Sequence, residues 1–221
     1  MSRTSRRVLL VILIAIPLVH FFSVLIASIN TPGYVTRLEP ISNLALSSSP
    51  YRYLAIWGGI ILPGTALAVV SIWVKSYHLF SRPGQAGLAL AAVCGLGMMM
   101  SGVFSIKSGL HMIPVLVSVC LTAPAIMLTA LSHPAWSNHP LLKTLICLWA
   151  LFPAVDVGGT IYAMMHGRFL HNYIGLQQRL SVGGTLCLFS FMILAAIYQR
   201  KHNNRVNPSD ARTSMGSDPN I

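Results

Sequence analysis

The sequence predicts an all-α fold, a polytopic integral membrane protein built as a six-transmembrane-helix bundle with both termini cytoplasmic. Three observations lead there. Six apolar stretches, residues 8–28, 53–74, 86–106, 110–131, 142–163 and 180–198, each come close to the roughly 20 residues that a helix needs to cross a hydrocarbon core about 30 Å thick. Of the 221 residues, 9% are charged and 54% hydrophobic, whereas a soluble domain usually carries about 25% charged residues. The bases also divide unevenly between the two sides. Ten (Arg3, Arg6, Arg7, Lys75, Arg82, Lys143, Arg200, Lys201, Arg205, Arg212) fall on the side of the termini, and five (Arg37, Arg52, Lys107, Arg168, Arg179) on the other. The positive-inside rule makes the richer side cytoplasmic.

In chain order, the first stretch follows Arg3, Arg6 and Arg7 like a signal peptide. Its apolar run outlasts the usual h-region of about 7–15 residues and no small-x-small cleavage site follows, so it reads as a retained helix. A longer outer segment over residues 30–52 leads to the second stretch, which carries Gly58-Gly59 and Pro63. The third holds Met98-Met99-Met100, read as packing, and turns tightly at Lys107-Ser108-Gly109 into the fourth. A connector in which His133 and His139 flank Pro134 and Pro140 leads to the fifth, with Pro153, Asp156 and Gly158-Gly159. The sixth follows a second outer segment. Residues 1–198 form one membrane domain in this reading. Residues 199–221, polar and interrupted by Pro208 and Pro219, bury too little apolar surface to order and are expected to be a disordered cytoplasmic tail.

Composition narrows the function classes. The net charge of +11 reflects four acids against fifteen bases at helix ends. No basic run is interleaved with aromatics as a nucleic-acid surface requires, so nucleic acid is not an expected partner. Membrane lipids are. No soluble protein partner and no cofactor is indicated. Cys94, Cys120, Cys147 and Cys187 all fall inside the spans without a Cys-x-x-Cys pair, which supports neither a zinc ribbon nor a disulfide framework. His166 and His171 lack the i, i+4 spacing that places two imidazoles on one helical face. No metal site is expected.

Asp156 is the one acid within the spans. A carboxylate in hydrocarbon is costly, so it should face the bundle interior with a partner. Asp156 and His20 lie at similar depths, Asp156 about 20 Å along its helix from the cytoplasmic side at 1.5 Å per residue. A His–Asp pair for proton transfer or ligand binding is one reading, and a structural clamp is the other. On the outer side, Ser42 and Asn43 precede the second stretch, His111 opens the fourth and Arg179 the sixth. These four are expected to gather around one outward pocket. Arg179 would take an anionic group, His111 and Asp156 would make proton or polar contacts, and Ser42, Asn43 and His20 would bind the ligand. The competing readings are an Arg179 that snorkels to the interface, a wet interfacial His111, and Ser42 or Asn43 as a helix cap.

Four short elements resemble the uncharacterised membrane family called domain of unknown function 998. They are Ile41-Ser42-Asn43-Leu44, Ser101-Gly102-Val103-Phe104, His111, and Gly175-Leu176-Gln177-Gln178-Arg179. This chain has Asn43 and Ala45 where the family pattern has Asp and Gly. The resemblance implies no activity, but it places all four elements at outer helix ends. The functional expectation is a multi-pass protein of the inner cell membrane that binds or processes a lipid headgroup or small amphiphile in an outward-facing polar pocket. As an enzyme it would be a membrane-embedded hydrolase. A proton-coupled or small-solute transporter and a non-catalytic interaction protein are the alternatives.

Overall fold

The computed structural model describes residues 2–46, 48–104, 109–133, 136, 139–166 and 174–206, with side chains except at 46, 109, 154, 156, 157, 159–166 and 202–206. Eight α-helices follow in order: α1 (Arg3–Ile29), α2 (Ile41–Leu46), α3 (Arg52–Ile56), α4 (Leu62–Ser76), α5 (Arg82–Val103), α6 (Met112–Leu131), α7 (Pro140–His166) and α8 (Ile174–Val206). A π turn, Trp57–Ile61, joins α3 to α4, so Arg52–Ser76 is one long helix with a local widening. Among the described residues, five helices are long and apolar enough to cross a membrane: Arg3–Ile29, Arg52–Ser76, Arg82–Val103, Met112–Leu131 and Ile174–Lys201. That is the signature of a multi-pass membrane protein. The apolar stretch described in α7 is the shorter Pro140–Pro153.

The long helices pack in a ring. Each contacts its neighbour in sequence, and α1 closes the ring against α8. Between membrane helices, association depends on close packing more than on removal of apolar surface from water, and glycine supplies the closeness. A Cβ added to Gly64 of α4 would lie 2.7 Å from the Gly95 carbonyl oxygen, and one on Gly95 of α5 would lie 2.6 Å from the Gly64 carbonyl oxygen. On another face of α5, a Cβ at Gly97 would lie 2.8 Å from the Pro114 carbonyl of α6. Met98 packs against the core from α5, as the packing reading of the methionine run requires.

The π turn has a chemical cause. Pro63 has no N–H to offer the carbonyl four residues earlier, that of Gly59. This is the carbonyl that His20 Nδ1 reaches from α1 at 2.6 Å. The same stretch of α1 docks against both glycines of the turn. A Cβ on Gly58 would clash with the Ser23 side chain, and one on Gly59 would lie 2.9 Å from Val24 Cγ2.

Three boundaries differ from the sequence expectation. α1 starts at Arg3, ahead of residue 8, because Ser2 caps it through its Oγ, which accepts from Ser5 N at 3.0 Å. Ser42 and Asn43 lie inside α2 and do not cap it. α8 continues as helix to Val206, past the end at residue 198 expected for the membrane domain. Polar residues without Gly or Pro permit a helix to run on into water, and composition alone does not mark where it stops. Residues 207–221, which contain the rest of the expected tail, lie outside the described residues.

Candidate functional site

The polar groups of the bundle concentrate where the loop over residues 31–40 meets the start of α8, at the end opposite the chain termini. That loop exposes backbone carbonyls with no helical partner, and buried backbone groups must be satisfied. Arg179 supplies the donors. Its Nη1 donates to the carbonyls of Thr36 (2.9 Å), Glu39 (3.1 Å) and Gly175 (2.7 Å). Its Nη2 donates to Ser28 Oγ at 3.2 Å and to the Tyr34 hydroxyl. The guanidinium also lies over the Tyr34 ring, 5.5 Å from its centroid. The Tyr34 hydroxyl passes its own proton toward the carbonyls of Glu39 (2.8 Å) and Pro40 (3.0 Å). Burial pushes the Tyr34 phenol above its ordinary value while the Arg179 hydrogen bond and charge pull against that.

The loop and α8 cap one another. Gly175 N and Leu176 N, in the first turn of α8, donate to the Arg37 carbonyl at 3.1 and 3.3 Å. In return, Gln178 Oε1 accepts from Ile41 N at 2.7 Å, at the start of α2. Both helix starts have orphan N–H groups, and each element satisfies the other's. Gly175 is required for the approach, since a Cβ there would run into the Thr36 and Glu39 carbonyl oxygens. Glu39 completes the arrangement: Oε1 accepts from Val35 N at 3.0 Å and Oε2 from Asn43 Nδ2 at 3.4 Å.

A buried polar stripe runs from Thr31 of the latch loop down α1 through Ser28, Ser23 and His20. Their spacing keeps them on one side of the helix. His20 is 2% exposed. Because a carbonyl accepts from Nδ1, the proton sits on that nitrogen, and the Nε2 edge faces α8 beside Gly183, 3.8 Å from where a Cβ would stand. His20 is therefore held between two glycine pairs, Gly58-Gly59 and Gly183-Gly184. From α7, Trp149 packs on the second of these pairs; a Cβ on Gly184 would lie 2.9 Å from Trp149 Cε2. Trp149 Nε1 and Thr185 Oγ1 are buried without a hydrogen-bond partner among the described residues.

The structure gathers some of the expected site residues and separates others. Arg179 and Asn43 meet through Glu39, and His20 lies one turn deeper along α8. Arg179, expected as an open anion ligand, has both terminal nitrogens already engaged by carbonyls and hydroxyls. Ser42 is half-buried on α2 with no such role. His111 is 8% exposed, so it is not a wet interfacial ring. Its Nδ1 turns back to the Phe104 carbonyl at 3.1 Å and closes the α5–α6 connection, away from the latch. Asp156 belongs to α7, seven residues after Trp149, so it shares that helix face; its side chain lies outside the described residues. Lys107, Arg168 and His171 also lie outside them.

Tyr34 was missed from the sequence, and Gly175, quoted there only in a family-like element, was given no packing role; both build the latch. The signal available was Gly175 four residues before Arg179, which puts a notch and a long donor on one helix face. At the other end His133, read as part of a connector, is 2% exposed. Its Nε2 hydrogen-bonds the Met192 carbonyl of α8 at 2.8 Å, and its ring stacks on Trp136 at 3.9 Å. Among the described residues no group of three or more His, Cys, Asp or Glu is placed to hold a metal ion. Comparison with protein-family models, curated proteins and solved structures finds no match.

Proposed function

We propose that this chain is a six-span protein of the inner cell membrane with cytoplasmic termini, and that it binds or processes a lipid headgroup or small amphiphile entering from the outer leaflet. The sixth span is α7, whose 27 residues suffice in length. The orientation follows from the ten-to-five division of Lys and Arg. Membership of the domain of unknown function 998 family is proposed on the four short sequence elements alone, two pairs of which meet in space. Ile41 meets Gln178 across the latch, and Phe104 meets His111 at the α5–α6 turn.

One observation carries the ligand reading. Trp149 Nε1 and Thr185 Oγ1 are buried polar atoms beneath the latch that the described residues do not satisfy, and such groups require a polar partner. Asp156 stands two turns nearer the latch on the same face of α7 as Trp149. In this reading Trp149, Thr185 and Asp156 address the polar head, His20 anchors α1 against α8 beside it, and Arg179 holds the rim without touching the ligand. Reaction chemistry, if present, falls to Asp156 as acid or base.

The full chain, purified in a mild neutral detergent and weighed intact by native mass spectrometry, should retain a small amphiphile. Trp149→Phe, which keeps the ring and removes the N–H, and Asp156→Asn should each reduce retention, whereas His111→Gln should not. A chain that carries nothing, or equal retention in all three variants, contradicts the reading.

A further inference from the structure

Where α1 begins and α8 ends, the two helices line a cleft of about 430 Å³. Its walls are apolar, built from Leu10 of α1 and from Phe191 and Leu194 of α8. Arg6, Tyr198 and Lys201 stand at its mouth. Trp136 backs the Phe191 ring at 6.0 Å and holds that wall in place. The side chains of Arg6 and Lys201 meet no hydrogen-bond or ion-pair partner among the described residues, unlike that of Arg200, which donates to the Tyr77 carbonyl at 2.9 Å. The described acids are not among the lining residues. Glu39 lies at the latch end and Asp156 on α7, while Asp210 and Asp218 lie outside the described residues.

We propose that this cleft is a binding site for an anionic phospholipid of the leaflet next to the termini. An acyl chain lies along Leu10, Phe191 and Leu194, and the headgroup phosphate sits between Arg6 and Lys201, with the Tyr198 hydroxyl beside it. The occupant follows from two features that must coincide. An apolar slot within a membrane bundle admits any acyl chain, but two cations at its mouth that meet no counter-charge among the described residues select a negative headgroup. Basic pockets between membrane helices on the cytoplasmic side recognise anionic lipid heads in this way. The site is independent of the amphiphile pocket proposed above, and different residues test it.

The full chain in neutral detergent is titrated with phosphatidylglycerol, phosphatidylcholine and inorganic phosphate, and the bound lipid is counted by native mass spectrometry. Phosphatidylglycerol should bind more tightly than phosphatidylcholine, and inorganic phosphate should not displace it. A cation near a lipid surface contributes about 1 kcal/mol, so Arg6→Ala and Lys201→Ala should each weaken binding about fivefold and together about thirtyfold. Leu194→Trp, which fills the slot and leaves both charges, should also weaken binding, and it guards against an Arg6 variant that merely alters insertion. Ser42→Ala, at the opposite end of the bundle, should leave this affinity unchanged. Equal binding of the two lipids, displacement by phosphate, or an unaltered double variant overturns the proposal. So does tight phosphatidylglycerol binding that appears only after Asp210→Asn and Asp218→Asn, which would assign the cleft to the chain's own acidic tail.

Discussion

The two ends of the bundle are closed by different chemistry. At the latch end, a ten-residue loop is tied down by backbone carbonyls converging on one guanidinium and by helix starts that cap each other. At the termini end, the short connector between α6 and α7 is closed by rings: His133 stacks on Trp136, meets Phe80 edge-on at 5.4 Å, and spends one ring nitrogen on the Met192 carbonyl. The availability of cations is reversed accordingly. Arg179 is consumed by the fold, whereas Arg6 and Lys201 are not. A cation at a helix end is thus a ligand group or a structural one according to how many unsatisfied carbonyls the neighbouring loop brings to it.

The comparison breaks first at Arg179. Arg179→Ala removes the donors to three carbonyls and two hydroxyls; hydrogen bonds from a charged group are worth about 1.5–3 kcal/mol each and are not additive. A loss of about 3–5 kcal/mol is expected, read as a large fall in thermal midpoint in detergent. Arg179→Lys should recover only a minor part, because an ammonium cannot span the same acceptors. Gly175→Ala comes next. It leaves every donor in place and inserts one methyl group against the Thr36 and Glu39 carbonyls, so about 1–3 kcal/mol should be lost through overpacking. If it is neutral, the loop does not sit on α8 as described.

The termini end is sharpened by pH. Burial holds the His133 imidazole below its ordinary value of 6.5, with Lys143 adding to that and the Met192 carbonyl opposing it. The folded state therefore binds this proton less tightly than the unfolded state. Stability contributed by neutral His133 is complete above 6.5 and declines as pH falls below it. The thermal midpoint should drop between neutral and mildly acidic pH, and His133→Gln should lessen that drop at a cost of about 1–2 kcal/mol at neutral pH. An unchanged pH profile in the variant would remove His133 from the account. The smallest effect is expected at Ser42→Ala, within about 0.5 kcal/mol, because no structural role depends on that hydroxyl.

The long helices were legible because apolar runs of membrane length have one economical fold. Their exact ends were less so. Capping by Ser2 and the extension of α8 to Val206 depend on local hydrogen bonding and on propensity in water, which hydropathy does not report. The π turn was written in Pro63, but its consequence, a Gly59 carbonyl that lacks the Pro63 donor and meets His20, requires knowing that α1 is the neighbour. The latch joins residues 31–40 to residues 175–179, a separation across which sequence spacing carries no geometry. Arg179 was recognised as a special residue, but the loop carbonyls it meets were not foreseeable for that reason. His133 looked like connector polarity, although the aromatic Trp136 three residues on was the clue to a buried stack. Ser42 and His111 were drawn into one pocket because they share a membrane level, and level alone does not bring helices α2 and α6 together.

The central claim, that loop and α8 hold each other through Arg179, is tested most directly by hydrogen–deuterium exchange in detergent on peptides covering residues 34–43 and 174–179. The amides of Gly175, Leu176 and Ile41 donate across the latch, so both peptides should exchange slowly in the native chain. In Arg179→Ala both should lose protection together, while the core of α5 stays protected. Rapid exchange of either peptide in the native chain, or slow exchange of both in the variant, would contradict the account.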